Sequence, residues 1–199
     1  MAKEASQSIK GLVFDAEKHK YYLNGEELIS VTTVLRHAGL FSYYGSDGGM
    51  AADRGTNIHL VTDLYDKNVL DMTKIENPLI APLECWKKFR SDTKLEVLDS
   101  EQPVCNVLYR YAGMLDRRVM LNGREAVIDI KSGIQTSWHS IQTILYAKCF
   151  DRPLRRFCLY LGDSAYKLVP HDNDQEDWAV ARACLTIVAW KKKVGALKS

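Results

Sequence analysis

Long apolar runs are missing from this 199-residue chain. Nowhere do 18 consecutive apolar residues occur, so no segment reads as a bilayer span. The opening residues, Met1-Ala-Lys-Glu-Ala-Ser-Gln-Ser, return to charge before any apolar stretch of signal-peptide length, and no leader is expected. Cysteine is scarce: Cys85, Cys105, Cys149, Cys158 and Cys184 are odd in number and widely spaced, with no C-x-x-C pair. That pattern argues against a zinc ribbon, an iron–sulfur site and a secreted disulfide framework, and makes a reducing cytoplasm the expected location. Only 12 Gly and 5 Pro are present, against 46% hydrophobic residues, which excludes collagen-like, low-complexity and disordered classes. A strong charge of either sign is lacking as well: 27 basic and 25 acidic side chains leave +2.

What is present is an uneven distribution of that charge. Residues 102–162 carry nine basic and four acidic side chains, and residues 179–199 carry five basic and none acidic. The acids concentrate elsewhere, with ten against seven bases over residues 50–101. Two basic blocks of this kind suit either a solvated surface or a groove for a phosphate backbone. A length of 199 residues accommodates one core and a small extension rather than two full domains.

Patterning predicts the elements. A small hairpin unit is expected over residues 10–30, turning at Asn24-Gly25, with Ser30 capping a short helix from Val31 to His37 that stops at Gly39. Helical spacing returns over 49–66, with Ile58, Val61 and Tyr65 on one face, and over 79–92, with Leu83, Trp86 and Phe89 buried. Strands are predicted over about 95–105, 107–121 and 124–131, a helix over 136–149, strands near 156–162 and 165–170, and a closing helix over about 174–194. The fold class is α/β with a mixed sheet: an extension over residues 1–45 and a core over 46–199, forming one structural domain.

Asn122-Gly123 is a strong two-residue hairpin signal. With that turn, paired residue numbers sum to 245, which sets Asp116 across from Asp129 and puts Lys131 on the same face. Ala126, Ile128 and Ile130 form the apolar reverse face. Two carboxylates opposed across a ladder repel one another. Lys131 or a divalent cation such as Mg²⁺ or Mn²⁺ would offset them. An exposed Asp–Lys–Asp salt-bridge cluster is the other reading of these three residues.

Further residues extend the pattern. Arg54-Gly55-Thr56-Asn57-Ile58-His59 opens a helix, and Gln142 and Tyr146 share a helix face. The series R-G-T-x-x-H, G-x-x-D (Gly113 to Asp116), D-x-K-S-G (Asp129 to Gly133) and Q-x-x-x-Y (Gln142 to Tyr146) resembles the PD-(D/E)XK nuclease superfamily. Its similarity is greatest to the RecB-like and phage-type branch that includes lambda exonuclease and mitochondrial genome maintenance exonucleases. Residues 22–35, with Ser30-Val-Thr-Thr33, resemble the opening segment of phage members, so the resemblance covers about residues 20–150.

It implies a restriction-endonuclease-like core, α-β-β-β-α-β, and a metal-dependent DNA exonuclease acting on linear DNA with free ends in phage or prophage recombination, replication or repair. It also implies that Asp116, Asp129, the carbonyl of Ile130 and His59 hold one or two Mg²⁺ or Mn²⁺ ions, and that Lys131 completes the catalytic set. Glu101, near the end of the preceding strand, is read either as a surface glutamate or as an outer carboxylate supporting the ligands. Ser30, Thr32, Arg54 and Thr56 are expected at phosphates, with Arg117, Arg118, Gln142 and Tyr146 nearer the cleaved strand. A single-strand annealing protein is an expected partner, and a ring-shaped oligomer is compatible. The alternatives are a structure-specific or restriction-type endonuclease on the same core and a catalytically silent DNA-binding module. Helicase-fused relatives are excluded by the lack of a G-x-x-x-x-G-K-[ST] loop.

Overall fold

The computed structural model describes residues 9–41 and 48–197, with the backbone alone over 48–54. Eight strands form one mixed sheet: β1 Leu12–Asp15, β2 Lys20–Leu23, β3 Glu26–Ser30, β4 Glu96–Asn106, β5 Tyr111–Leu121, β6 Arg124–Lys131, β7 Arg155–Leu161 and β8 Tyr166–Pro170. The helices are α1 Val31–Ala38, α2 Gly48–Asp66, α3 Asn77–Thr93, α4 Trp138–Ala147 and α5 Asp174–Lys193. Among the described residues, no helix is long and apolar enough to cross a membrane.

Strand order is β1-β2-β3-β5-β6-β7-β8, with β4 paired to β5 off that path. The β3–β5 and β6–β7 pairs are parallel, and the other pairs are antiparallel. The first three strands therefore continue the sheet instead of forming a separate appendage.

Helices cover both faces. Strand alternation sends Ala126, Ile128 and Ile130 of β6 to one side, where they join Ile58 of α2 and Leu83, Trp86 and Phe89 of α3. Val127 points the other way, into a second cluster with Val34 and Leu35 of α1, Ile144 and Leu145 of α4 and Ala181 of α5. A strand with helices on both faces loses the polar alternation of a half-exposed one, which accounts for the near-continuous burial of β5 and β6.

Local chemistry sets the element ends. Ser30 caps α1 by accepting the Thr33 N–H at 3.0 Å, and Gly39 ends the helix with φ +86°. Asn122 and Gly123 take φ +51° and +73°, the two positive values that a type I′ turn requires. The β5 strand starts at Tyr111, four residues later than its sequence pattern predicts. Residues 107–110 instead form the β4–β5 turn, in which the Asn106 side chain accepts the Tyr109 N–H at 2.9 Å. Helix α5 carries Asp174, Glu176 and Asp177 in its first turn and Lys191, Lys192 and Lys193 in its last, complementing the helix dipole at both ends.

Candidate metal centre at a split in the sheet

One edge of β5 changes partner along its length. Its start pairs with β3 (Ile29↔Tyr111, Ser30↔Ala112), and its end pairs with β6 from Leu121↔Arg124 to Arg117↔Ile128. The 245 register therefore holds over five pairs and stops one short of Asp116 and Asp129. The expected cross-strand pairing of those two carboxylates is not formed: β3 pairs with Tyr111 and Ala112 alone, β6 stays in register with β7 through Lys131, and residues 113–116 lie between the two ladders on this edge.

The split leaves Ile130 with backbone groups turned toward the missing ladder. Side chains satisfy both. The Asp116 Oδ2 accepts the Ile130 N–H at 2.6 Å, and the Ile130 carbonyl oxygen lies 3.0 Å from His59 Nε2. Gly113 sits in the same opening. A Cβ there would come within 2.8 Å of Tyr146 Cε1 and 3.1 Å of Val31 Cγ2, so only glycine admits Tyr146 to the gap.

Three potential ligands converge. His59 Nδ1 lies 3.2 Å from Asp116 Oδ1 and 3.6 Å from Glu101 Oε1, and ligating atoms of these three residues fall within 4.8 Å of one another. Glu101 reaches inward from an unusual backbone: its φ is +46°, a left-handed value seldom adopted by a residue with a long side chain. One nitrogen with several oxygens suits a hard divalent cation such as Mg²⁺ or Mn²⁺. The Ile130 carbonyl, 3.0 Å from His59 Nε2, holds the ring so that Nδ1 is the nitrogen facing the two carboxylates. The residues present thus fit a metal.

Asp129 is buried nearby but outside that triad. Its Oδ2 is 2.6 Å from Lys131 Nζ, and Cys158 Sγ donates to the same oxygen at 3.6 Å. Lys131 also donates to Gln142 Oε1 at 2.9 Å, and Gln142 Nε2 donates to the Tyr146 hydroxyl at 3.5 Å. These two α4 side chains, unremarkable as a spacing in the sequence, are buried and hold the lysine.

Burial and mutual charge shift every group here. Burial alone would depress the His59 imidazole, but the adjacent Asp116 and Glu101 carboxylates raise it to about 10. Burial works against the Asp116 charge, yet His59, Lys131 and the Ile130 N–H keep its carboxyl below the usual range. Burial dominates at Asp129, opposed by Lys131 and reinforced by the Asp116 charge, and lifts it to about 6. Burial would lower the Lys131 ammonium, but Asp129 and Asp116 raise it.

A pH dependence follows for the metal-free protein. A histidine raised from about 6.5 to about 10 on folding adds stability that is complete below pH 6.5 and lost as pH rises to 10. His59→Gln should flatten that part of the curve of unfolding free energy against pH. Coincident wild-type and variant slopes between pH 7 and 10 would show that His59 is not charged in the folded protein.

Other expected contacts divide. Ser30 is committed to its cap, Thr32 is half-buried and Thr56 is exposed, while the Arg54 side chain lies outside the described residues. Gly55 places that stretch of α2 near the loop after Lys131, since a Cβ there would stand 3.8 Å from Ser132 Oγ.

Arg117 and Arg118 are corrected: neither guanidinium faces an incoming strand. Arg117 is 0% exposed and donates to Asp66 Oδ2 at 2.8 Å, Thr62 Oγ1 at 2.9 Å, Glu101 Oε1 at 3.1 Å and the Asp116 carbonyl at 2.7 Å. Arg118 is bound to Asp99 and Glu125. Arg117 shares its strand face with the buried Leu115 and Val119, but a pair of arginines reads as surface in sequence, and only the acids on α2 and β4 reveal why it is inside. Asp66, Thr62 and Cys158 carried no motif signal.

No family model matches the chain, and no curated protein matches it. Among solved structures it is similar to one described as the crystal structure of SSO0001, at 16% identity over 81% of this chain and 75% of that chain, with a TM-score of 0.42.

Proposed function

We propose that the protein is a metal-dependent DNA exonuclease built on a restriction-endonuclease-like core, of the kind its motifs resemble. The reading rests above all on one observation: four motifs far apart in sequence converge on the split between β5 and β6. His59 comes from α2, Asp116 from β5, Asp129 and Lys131 from β6, and Gln142 and Tyr146 from α4. The run α3-β4-β5-β6-α4-β7 supplies the α-β-β-β-α-β order of such a core.

His59 through Nδ1, Asp116 and Glu101 would hold the ion, with Asp129 beside them and the Ile130 carbonyl orienting the imidazole from its other nitrogen. A divalent cation bound there would supply Lewis acidity toward a phosphoryl oxygen and would lower the pKa of a bound water. The chain's own residues do the remaining work. Lys131 stays protonated between Asp129 and Gln142, where its ammonium orients the attacking water and offsets charge gathering on the phosphoryl oxygens. The Asp116 bond to the Ile130 N–H fixes one carboxylate oxygen and leaves the other facing His59.

Incubation with Mg²⁺ or Mn²⁺ and either end-labelled linear duplex or covalently closed circles tests this. Loss of linear DNA with survival of circles is the expected result. Nicking or linearisation of circles would instead assign an endonuclease. Binding without nucleotide release under either metal would assign a non-catalytic DNA-binding module.

A further inference from the structure

Away from the metal centre, α1 and the β2–β3 hairpin enclose a groove of about 490 Å³ with a cationic lining. Lys18, Lys20, Arg36 and Lys192 border it against one carboxylate, Glu27. Lys20 is engaged by Glu27 at 2.8 Å and Lys18 by Asp15 at 3.4 Å. Arg36 and Lys192 are exposed, and neither forms an ion pair among the described residues. Lys192 is not placed by chance: its neighbour Lys191 donates to the His37 carbonyl at 2.6 Å, fastening the end of α5 to the end of α1.

One end of the groove reaches the β5 edge next to the site. Ser30 and Tyr21 line it, and Ser30 pairs with Ala112 on the β5 edge that opens at Gly113. Tyr21 is buried, with its phenol against the Met114 backbone and within the field of Glu101. From Ser30 to His37, α1 rises about 10 Å at 1.5 Å per residue, a length that spans about three phosphates of one strand.

We infer that this groove binds the phosphodiester backbone of the DNA whose end lies at the metal centre, with Arg36 and Lys192 as its two free phosphate contacts. The inference rests on the nuclease reading and deepens it: the substrate is a polynucleotide long enough to reach from Ser30 to Lys192. An anionic polymer fits cations spaced along a groove, two of them without ion pairs among the described residues, whereas a compact anion would use one point along it.

The test is binding of a fluorescent linear duplex in EDTA across a salt series, for wild type, Arg36→Ala/Lys192→Ala and Glu27→Gln. Loss of two phosphate contacts should reduce the slope of log affinity against log salt by about 1.8 in the double variant. Glu27→Gln frees Lys20 and should steepen it. Hydrolysis of a trinucleotide, too short to reach the groove, should be unchanged in the double variant, while KM for long duplex rises and kcat stays constant. An unchanged slope in the double variant, with wild type still digesting linear DNA, overturns the groove and spares the nuclease reading. Failure of wild type to cleave DNA overturns that reading and, with it, this inference. Loss of polyglutamate binding without loss of DNA binding would assign the face to an acidic protein and reject the proposal.

Discussion

Replacement of Lys131 by alanine is expected to slow release of nucleotides from linear DNA by about 10²–10³-fold, the cost of removing one preorganised donor from developing charge. The loss should have a second component that a purely electrostatic contact to substrate would lack. Lys131 is the main group opposing the burial that lifts Asp129 to about 6. Without it, the carboxyl of Asp129 rises further and becomes protonated across neutral pH. Metal binding to Lys131→Ala should therefore weaken at pH 7 and recover as pH increases, because the ion must displace that proton. Titration calorimetry with Mn²⁺ at pH 6.5, 7.5 and 8.5 reads this directly. A variant with wild-type metal affinity at every pH but lower activity would confine Lys131 to the chemical step. A variant with unchanged activity would remove it from the mechanism.

Much of the architecture was legible because it is local. Cap residues, a two-residue turn with its register and apolar helix stripes depend on near neighbours, and Ser30, Asn122-Gly123 and the Leu83–Trp86–Phe89 stripe behave accordingly. The hairpin keeps the 245 register as far as Arg117↔Ile128 and leaves it at the next pair. What accompanies its end is non-local, since β3, far earlier in the chain, pairs with Tyr111 and Ala112 at the start of β5, and nothing within the hairpin encodes that pairing. The same limit applies to the site. His59, Asp116, Asp129 and Lys131 stand out as a motif series. The promotion of Glu101 from outer support to the carboxylate nearest His59 after Asp116 depends on a positive φ and a long-range arginine. The low net charge of +2 also misleads in this way, because acids gathered around buried Arg117 and Lys131 cancel bases that face solvent along α1 and α5.

Arg117 carries the largest expected effect on stability. Its guanidinium, wholly buried beside Trp86 at 5.3 Å from ring centre, connects α2, β4 and β5 through Asp66, Thr62, Glu101 and the Asp116 carbonyl. Arg117→Met keeps much of the volume and removes the charge. Asp66 retains Arg90 at 2.7 Å and the Trp86 indole N–H at 3.0 Å, but its second oxygen loses its donor, and Glu101 loses its one arginine. Breaking a buried pair from one side leaves an uncompensated charge and costs about 3–5 kcal/mol. That is a large share of the roughly 5–15 kcal/mol that holds a domain of this kind together. Urea unfolding should show a lower midpoint at constant slope. Arg117→Lys should fall between wild type and Arg117→Met, because an ammonium cannot reproduce a fork that reaches four acceptors. Adding Asp66→Asn to Arg117→Met should recover part of the loss by neutralising the stranded acid. A loss below about 1 kcal/mol in Arg117→Met would mean that water replaces the guanidinium, and that the inward aim of Glu101 is fixed by the β4 backbone alone.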